Sequence, residues 1–135
     1  MRRVLAVLVG CMVAILVLFV GEALSHLIYP PPSNVDKATV EQLREIMNSV
    51  PPMALVLVLL SGFLGAFVGG LIATMLMKTN DKIVALLVGA ILTILGILNL
   101  VFVPHPIWFI IPALLVYFIG AWLGMVIYSK LKKNA

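Results

Sequence analysis

Four apolar runs, Val4–Leu24, Met53–Met77, Ile83–Val103 and Ile107–Tyr128, occupy roughly two-thirds of the 135 residues and dictate what this chain can become. Crossing the roughly 30 Å hydrocarbon core of a bilayer takes about 20 mostly apolar residues in a helix, and each run meets that length. Inside lipid every backbone N–H and C=O must be satisfied by the chain itself, which leaves only helices and closed barrels. Barrel strands would show alternating segments of about ten residues, whereas these runs are continuous. The expected fold is an all-α membrane protein: a four-transmembrane-helix bundle forming a single integral membrane domain over residues 1–135.

Composition narrows the function classes. Charged residues make up 10% and hydrophobic ones 64%, against about 25% and 45–50% in soluble domains. Disorder is excluded by the same balance, since disordered chains are rich in charge and poor in apolar residues. A single cysteine, Cys11, excludes an intrachain disulfide, a CxxC redox pair and a four-cysteine zinc site. No phosphate loop, nucleotide fingerprint or Ser–His–Asp pattern is present, so no enzymatic chemistry and no catalytic residue are expected. Nucleic acid is not an expected partner, because the basic residues form small groups at span edges instead of one patch with interleaved aromatics.

Those basic residues give the direction of insertion. Arg2, Arg3, Lys78, Lys82, Lys130, Lys132 and Lys133 fall on one side of the four spans, and only Lys37 and Arg44 on the other. The positive-inside rule then places both termini and the Lys78–Lys82 turn in the cytoplasm; in a bacterium the protein would be multi-pass in the inner (plasma) membrane. Tyr29 and Trp108 on the outer side and Tyr128 on the inner side sit where aromatic belts form. The Leu8-Val9-Gly10-Cys11 string matches a lipoprotein cleavage pattern, but the apolar region before it is at or below the usual minimum of about 7 residues, and cleavage would strand the apolar run Met12–Val20. An uncleaved first span is the preferred reading.

Small residues recur at helical spacing. Lipid provides no hydrophobic drive for helix association, so close backbone approach at such residues must supply it. Gly10 on the first span, Ser61, Gly62, Gly65, Gly69 and Gly70 on the second, Gly89 on the third, and Gly120 and Gly124 on the fourth are the expected packing positions. Two adjacent small-residue rows on the second span make it the expected centre of the bundle or a homo-oligomer contact; a glycine-lined conduit is the functional alternative.

Between the first two spans, an amphipathic helix is expected over about residues 36–48. Thr39 and Gln42 have the T-x-x-Q spacing of a capping box. Val40, Leu43, Ile46, Met47 and Val50 form one face and Lys37, Glu41, Arg44 and Glu45 the other. Such a helix lies on the membrane surface or lids the outer end of the bundle.

Glu22 is the one charged residue well inside a span, and intramembrane ionisable groups are functional-site hypotheses by default. Glu22, His26 and Tyr29 are spaced i, i+4, i+7 on one helical face. His105, between Pro104 and Pro106, and Asn99 belong to the same outer layer. Three readings stay open: an anchor that pins the helix end, a proton or substrate site built on Glu22 and His26, and a site in which Glu22, His26 and His105 hold a divalent transition metal.

The strings Gly21-Glu22-x-x-Ser25-His26-x-x-Tyr29-Pro30-Pro31-Pro32 and Asn99-x-x-Phe102-x-Pro104-His105-Pro106-x-Trp108 resemble those of a family of small, uncharacterised bacterial four-span membrane proteins. That resemblance implies a bacterial multi-pass protein and brings no catalytic, ligand or cofactor residue with it. Small four-span multidrug exporters share a lone first-span glutamate, but theirs lies near mid-membrane and their loops are shorter. The functional expectation is a non-enzymatic interaction or accessory protein in the lipid bilayer, with a homo-oligomer or another membrane protein as partner. Its alternative is a small transporter, or a proton- or divalent-metal-binding protein using the outer Glu/His cluster.

Overall fold

The computed structural model describes residues 1–78 and 81–135. They are all-helical: α1 Arg2–Ile28, α2 Val40–Ser49, α3 Pro52–Met77, α4 Lys82–Phe102 and α5 Ile107–Asn134, with a 3-10 turn at Val35–Lys37 between α1 and α2. Four of them, α1, α3, α4 and α5, are long and apolar enough to cross a membrane. Their outward faces carry exposed Leu8, Met12, Leu16, Phe19, Ile94, Val101, Ile111 and Leu115. In water such a surface would drive aggregation; lipid tails match it.

Two helices are longer than their apolar runs. The first continues through the Glu22 and His26 turns to Ile28 and stops before Pro30, where the ring abolishes the next backbone donor. The last continues past Tyr128 through Lys130, Lys132 and Lys133, basic residues that suit a helix C-terminus. The short helix starts later than residue 36. Thr39 is its N-cap, accepting from the Gln42 N–H at 3.3 Å while Gln42 Oε1 accepts from the Thr39 N–H at 2.8 Å. A capping box fixes the first helical residue as the one after the cap, so Val35–Lys37 is left as a separate 3-10 turn.

The bundle is organised around α3, which lies antiparallel to α1 along one side and beside α5 on another. Gly10 and Gly69 face each other so closely that a β-carbon on Gly69 would stand 2.5 Å from the Gly10 carbonyl oxygen. A β-carbon on Gly65 would stand 2.6 Å from the Ala14 oxygen, and one on Gly21 would collide with the Ser61 side chain. Along the other seam Gly70 abuts the Ala121 backbone, Gly120 meets Phe63 and Ala66, and Gly124 meets Phe67; Gly89 of α4 rests on Phe118. Ser61 Oγ donates to the Leu57 carbonyl in its own helix, so its hydroxyl is satisfied without a cross-helix partner.

One end of the bundle is basic. The Arg3 guanidinium pairs with Asp81 at 2.8 Å, Arg2 donates to the Leu76 carbonyl at 3.2 Å, and Lys132 donates to the Lys78 carbonyl. Both termini and the α3–α4 connection therefore meet there. Of the turn expected at Lys78–Lys82, residues 79 and 80 lie outside the described residues. Lys78 ends α3 in the left-handed conformation at φ 58°, and Asp81 caps α4 by accepting from the Ile83 N–H at 3.1 Å.

The core has two parts. Ala6, Val7, Ala14, Ala66, Ala73, Val84, Val88, Leu92 and Ala121 form the larger, where small residues let the helices close up. At the other end Leu55, Phe109 and Ala113 form a smaller cluster, packed against Met47 and Val50 of the α2 segment. Between this cluster, the end of α1 and α4 the helices leave a cavity.

Candidate functional site

The cavity has a volume of about 480 Å³, within the range of roughly 300–1,000 Å³ that holds small organic ligands. Each long helix contributes a turn or two of wall. From α1 come Glu22, Ser25 and His26, followed by Tyr29 at its C-terminal cap; from α3 come Ala54, Leu55 and Val58. The α4 wall is Gly96, Asn99 and Leu100, leading through Val103 to His105, and the α5 wall is Phe109, Ala113 and Tyr117. Leu43, Ile46 and Met47 of α2 close the end, and Pro30, Pro31 and Pro32 form part of the rim.

This arrangement follows from local sequence. The i, i+4, i+7 spacing aims Glu22, His26 and Tyr29 the same way from one helix. Ser25 lies on the neighbouring stripe, 4% exposed, with its hydroxyl 3.5 Å from the Ala54 carbonyl where α1 meets α3. Pro30–Pro32 and Pro51–Pro52 bracket the α2 segment, so the chain leaves α1 and re-enters α3 at fixed angles. The apolar side of α2 turns inward, over the cavity and the Leu55–Phe109–Ala113 cluster, which makes this helix a lid on the bundle end.

His105 is held from two sides. Its ring stacks on Phe109, with centroids 4.8 Å apart and planes 11° from parallel, and Nδ1 lies 2.7 Å from the Val103 carbonyl oxygen. A carbonyl can only accept, so Nδ1 carries a proton in this contact. Burial pushes the imidazole below its ordinary value of 6.5, and the Val103 hydrogen bond opposes that shift. At neutral pH His105 is therefore an uncharged ring with Nε2 left as an acceptor.

Glu22, His26, Tyr29, Asn99 and His105 all line this one space. They do not form a metal centre: among the described residues no group of three His, Cys, Asp or Glu side chains stands close enough together to hold an ion. The expected grouping of Glu22, His26 and His105 around a divalent metal is not assembled among the described residues. The physical reason is that Glu22 and His26 belong to one wall, while His105 is turned to Val103 and Phe109 on another.

Tyr117 is the residue that sequence reasoning missed. Its ring is wedged between α3 and α4: a β-carbon on Gly62 would stand 3.1 Å from Cε1, and one on Gly96 would stand 2.6 Å from Cε2. Gly62 thus makes room for an aromatic ring, and Gly96, which no small-residue stripe had marked, does the same from the opposite side. A signal was present. Tyr117 falls ten residues into its helix, away from both interfacial belts, where a phenol hydroxyl requires a polar neighbourhood.

Comparison of the chain with protein-family models, with curated proteins and with solved structures gives no match. The functional reading therefore rests on the cavity's own chemistry. That chemistry combines apolar walls with a few polar groups: a carboxylate, two imidazoles, two phenols, two hydroxyls and an amide. Among the described residues its Ser25 and Ser49 hydroxyls donate to backbone carbonyls.

Proposed function

We propose that this protein is a small-molecule-binding membrane bundle, with the cavity beneath α2 as its binding site and α2 as the lid. The observation that carries this reading is the convergence of Glu22, His26, Asn99, His105 and Tyr117, from three helices and a turn, on one cavity of about 480 Å³. An anchor that merely pinned the end of α1 would leave the wedged Tyr117 unexplained. Binding, or carriage across the membrane by opening the lid, needs no covalent chemistry from the chain.

The Lys/Arg distribution supports the sidedness of this reading. The basic end faces the cytoplasm and the cavity opens toward the periplasm or exterior of a bacterial cell. A ligand would then reach the site from outside or from the outer leaflet.

Binding is tested with the full chain in phosphatidylcholine nanodiscs. Cys11 is the sole native cysteine and is buried, so Asn99→Cys introduces one thiol that reports on the cavity. Naphthalene-bearing amphiphiles should bind saturably and protect that thiol from alkylation, and Val103→Trp should abolish both effects. Uptake no different from that of empty nanodiscs, across cationic, neutral and anionic probes, would overturn the reading.

A further inference from the structure

The charge pattern of the cavity identifies the class of ligand, on the premise that the cavity is a binding site. Glu22 is the sole acidic residue lining it, and no Lys or Arg lines it. Among the described residues the one ion pair joins Arg3 to Asp81, at the far end of the bundle, so the Glu22 carboxylate has no cationic partner in the fold. Glu22 is half-buried, and a carboxylate partly withdrawn from water favours a positive charge beside it.

The remaining groups select the shape of that partner. A small inorganic divalent cation would require three or more clustered ligands, and none are assembled among the described residues. Tyr29 and Tyr117 instead line the cavity with aromatic rings, and such rings attract a diffuse organic cation. Leu55, Val58 and the lid residue Met47 supply apolar wall for a hydrocarbon body. An anionic head would face the carboxylate with no lysine or arginine to offset it.

We infer that the cavity takes an organic cation with an apolar body, its positive head beside Glu22 and its body against the apolar walls under α2. The neutral state of His105 at pH 7 is in keeping with this, since the ring adds no positive charge to repel the head.

Three matched probes test the inference in nanodiscs: naphthylmethyl-trimethylammonium, its uncharged carbon isostere with a neopentyl group, and naphthylmethylsulfonate. Fluorescence anisotropy of the naphthalene reads binding. The cation should bind about tenfold tighter than the isostere, and Glu22→Gln should remove that advantage, bringing the two affinities within about twofold of each other. Glu22→Asp should keep part of the preference. Equal affinity of cation and isostere on the unaltered protein, or a preference that survives Glu22→Gln, overturns the charge assignment and leaves the cavity as a binding site. Absence of binding by all three probes overturns the binding site and this inference together. Should Glu22→Gln fail to fold, isostere binding is lost with it, and the comparison of cation with isostere on the unaltered protein decides.

Discussion

Tyr117 of α5 and Gly96 of α4 are fitted to each other: a β-carbon at position 96 would stand 2.6 Å from the tyrosine Cε2. The contact joins bundle packing to the cavity, since both residues line it. Gly96→Val should push the ring out of place, cost about 1–3 kcal/mol, and weaken probe binding. Tyr117→Ala should remove the clash, so the double variant should be more stable than the sum of the two single effects. A double-mutant cycle on unfolding in mixed micelles reads the coupling, and strict additivity would refute it.

The Gly10–Gly69 approach makes a second prediction. Because a β-carbon on Gly69 meets the Gly10 carbonyl at 2.5 Å, Gly69→Ala should cost about 1–3 kcal/mol and Gly69→Leu should abolish the folded bundle. Leu16→Ala, on a face 62% exposed, should change stability by about 0.5 kcal/mol or less. Circular dichroism during titration with a denaturing detergent distinguishes the three.

His105 gives a pH dependence of known sign. Burial lowers its folded pKa below 6.5, the Val103 hydrogen bond opposing, so the unfolded chain takes up the proton more readily than the folded one. The corresponding stability is fully present above pH 6.5 and is lost as pH falls through the lowered folded value. His105→Gln should flatten stability against pH in that window. Protonation would also place a positive charge beside the cavity, so affinity for a cationic probe should fall on acidification in the native protein and fall less in His105→Gln.

The lid depends on its cap. Thr39→Ala removes the hydroxyl that accepts from Gln42 N–H and should cost α2 about 1 kcal/mol. Amide hydrogen exchange across residues 40–49 should quicken about fivefold, as a local loss of about 1 kcal/mol requires, with α3 unchanged. Equal acceleration in α2 and α3 would show that the lid is not an independent unit.

At the basic end, Asp81 has two partners and Arg3 one. Asp81 caps α4 through the Ile83 N–H and pairs with Arg3, whose side chain is 60% exposed. Asp81→Ala should cost about 1 kcal/mol or more through the cap, and Arg3→Ala less than about 1 kcal/mol, as exposed ion pairs do. Thermal unfolding in detergent orders the two, and the reverse order would assign the stability to the pair.

Much of this was legible without coordinates, and the limits have physical causes. The T-x-x-Q spacing of Thr39 and Gln42 was legible because a capping box is satisfied within four residues, although the helix expected from about residue 36 starts only after the Thr39 cap. The shared face of Glu22, His26 and Tyr29 likewise follows from one helix's own period. Tyr117 and Gly96 escaped because their significance lies in a contact between two helices, which no single-helix pattern encodes. That Glu22, His26 and His105 do not stand together as a ligand group among the described residues has a related reason: occupying one layer of a bundle is a weaker condition than converging on one point.

The sequence by itself determined the four apolar helices, their gathering of positive charge at one end, and the presence of one ionisable group within a span. These are properties of length, hydropathy and backbone hydrogen bonding, which act locally. Only the tertiary structure decided that α2 sets Leu43, Ile46 and Met47 against the cavity, that Tyr117 fills the space left by Gly62 and Gly96, and that Glu22 faces a cavity without a counter-charge. Those outcomes depend on how side chains of different helices fill or fail to fill the volume between them, and packing at that scale is a property of the whole bundle.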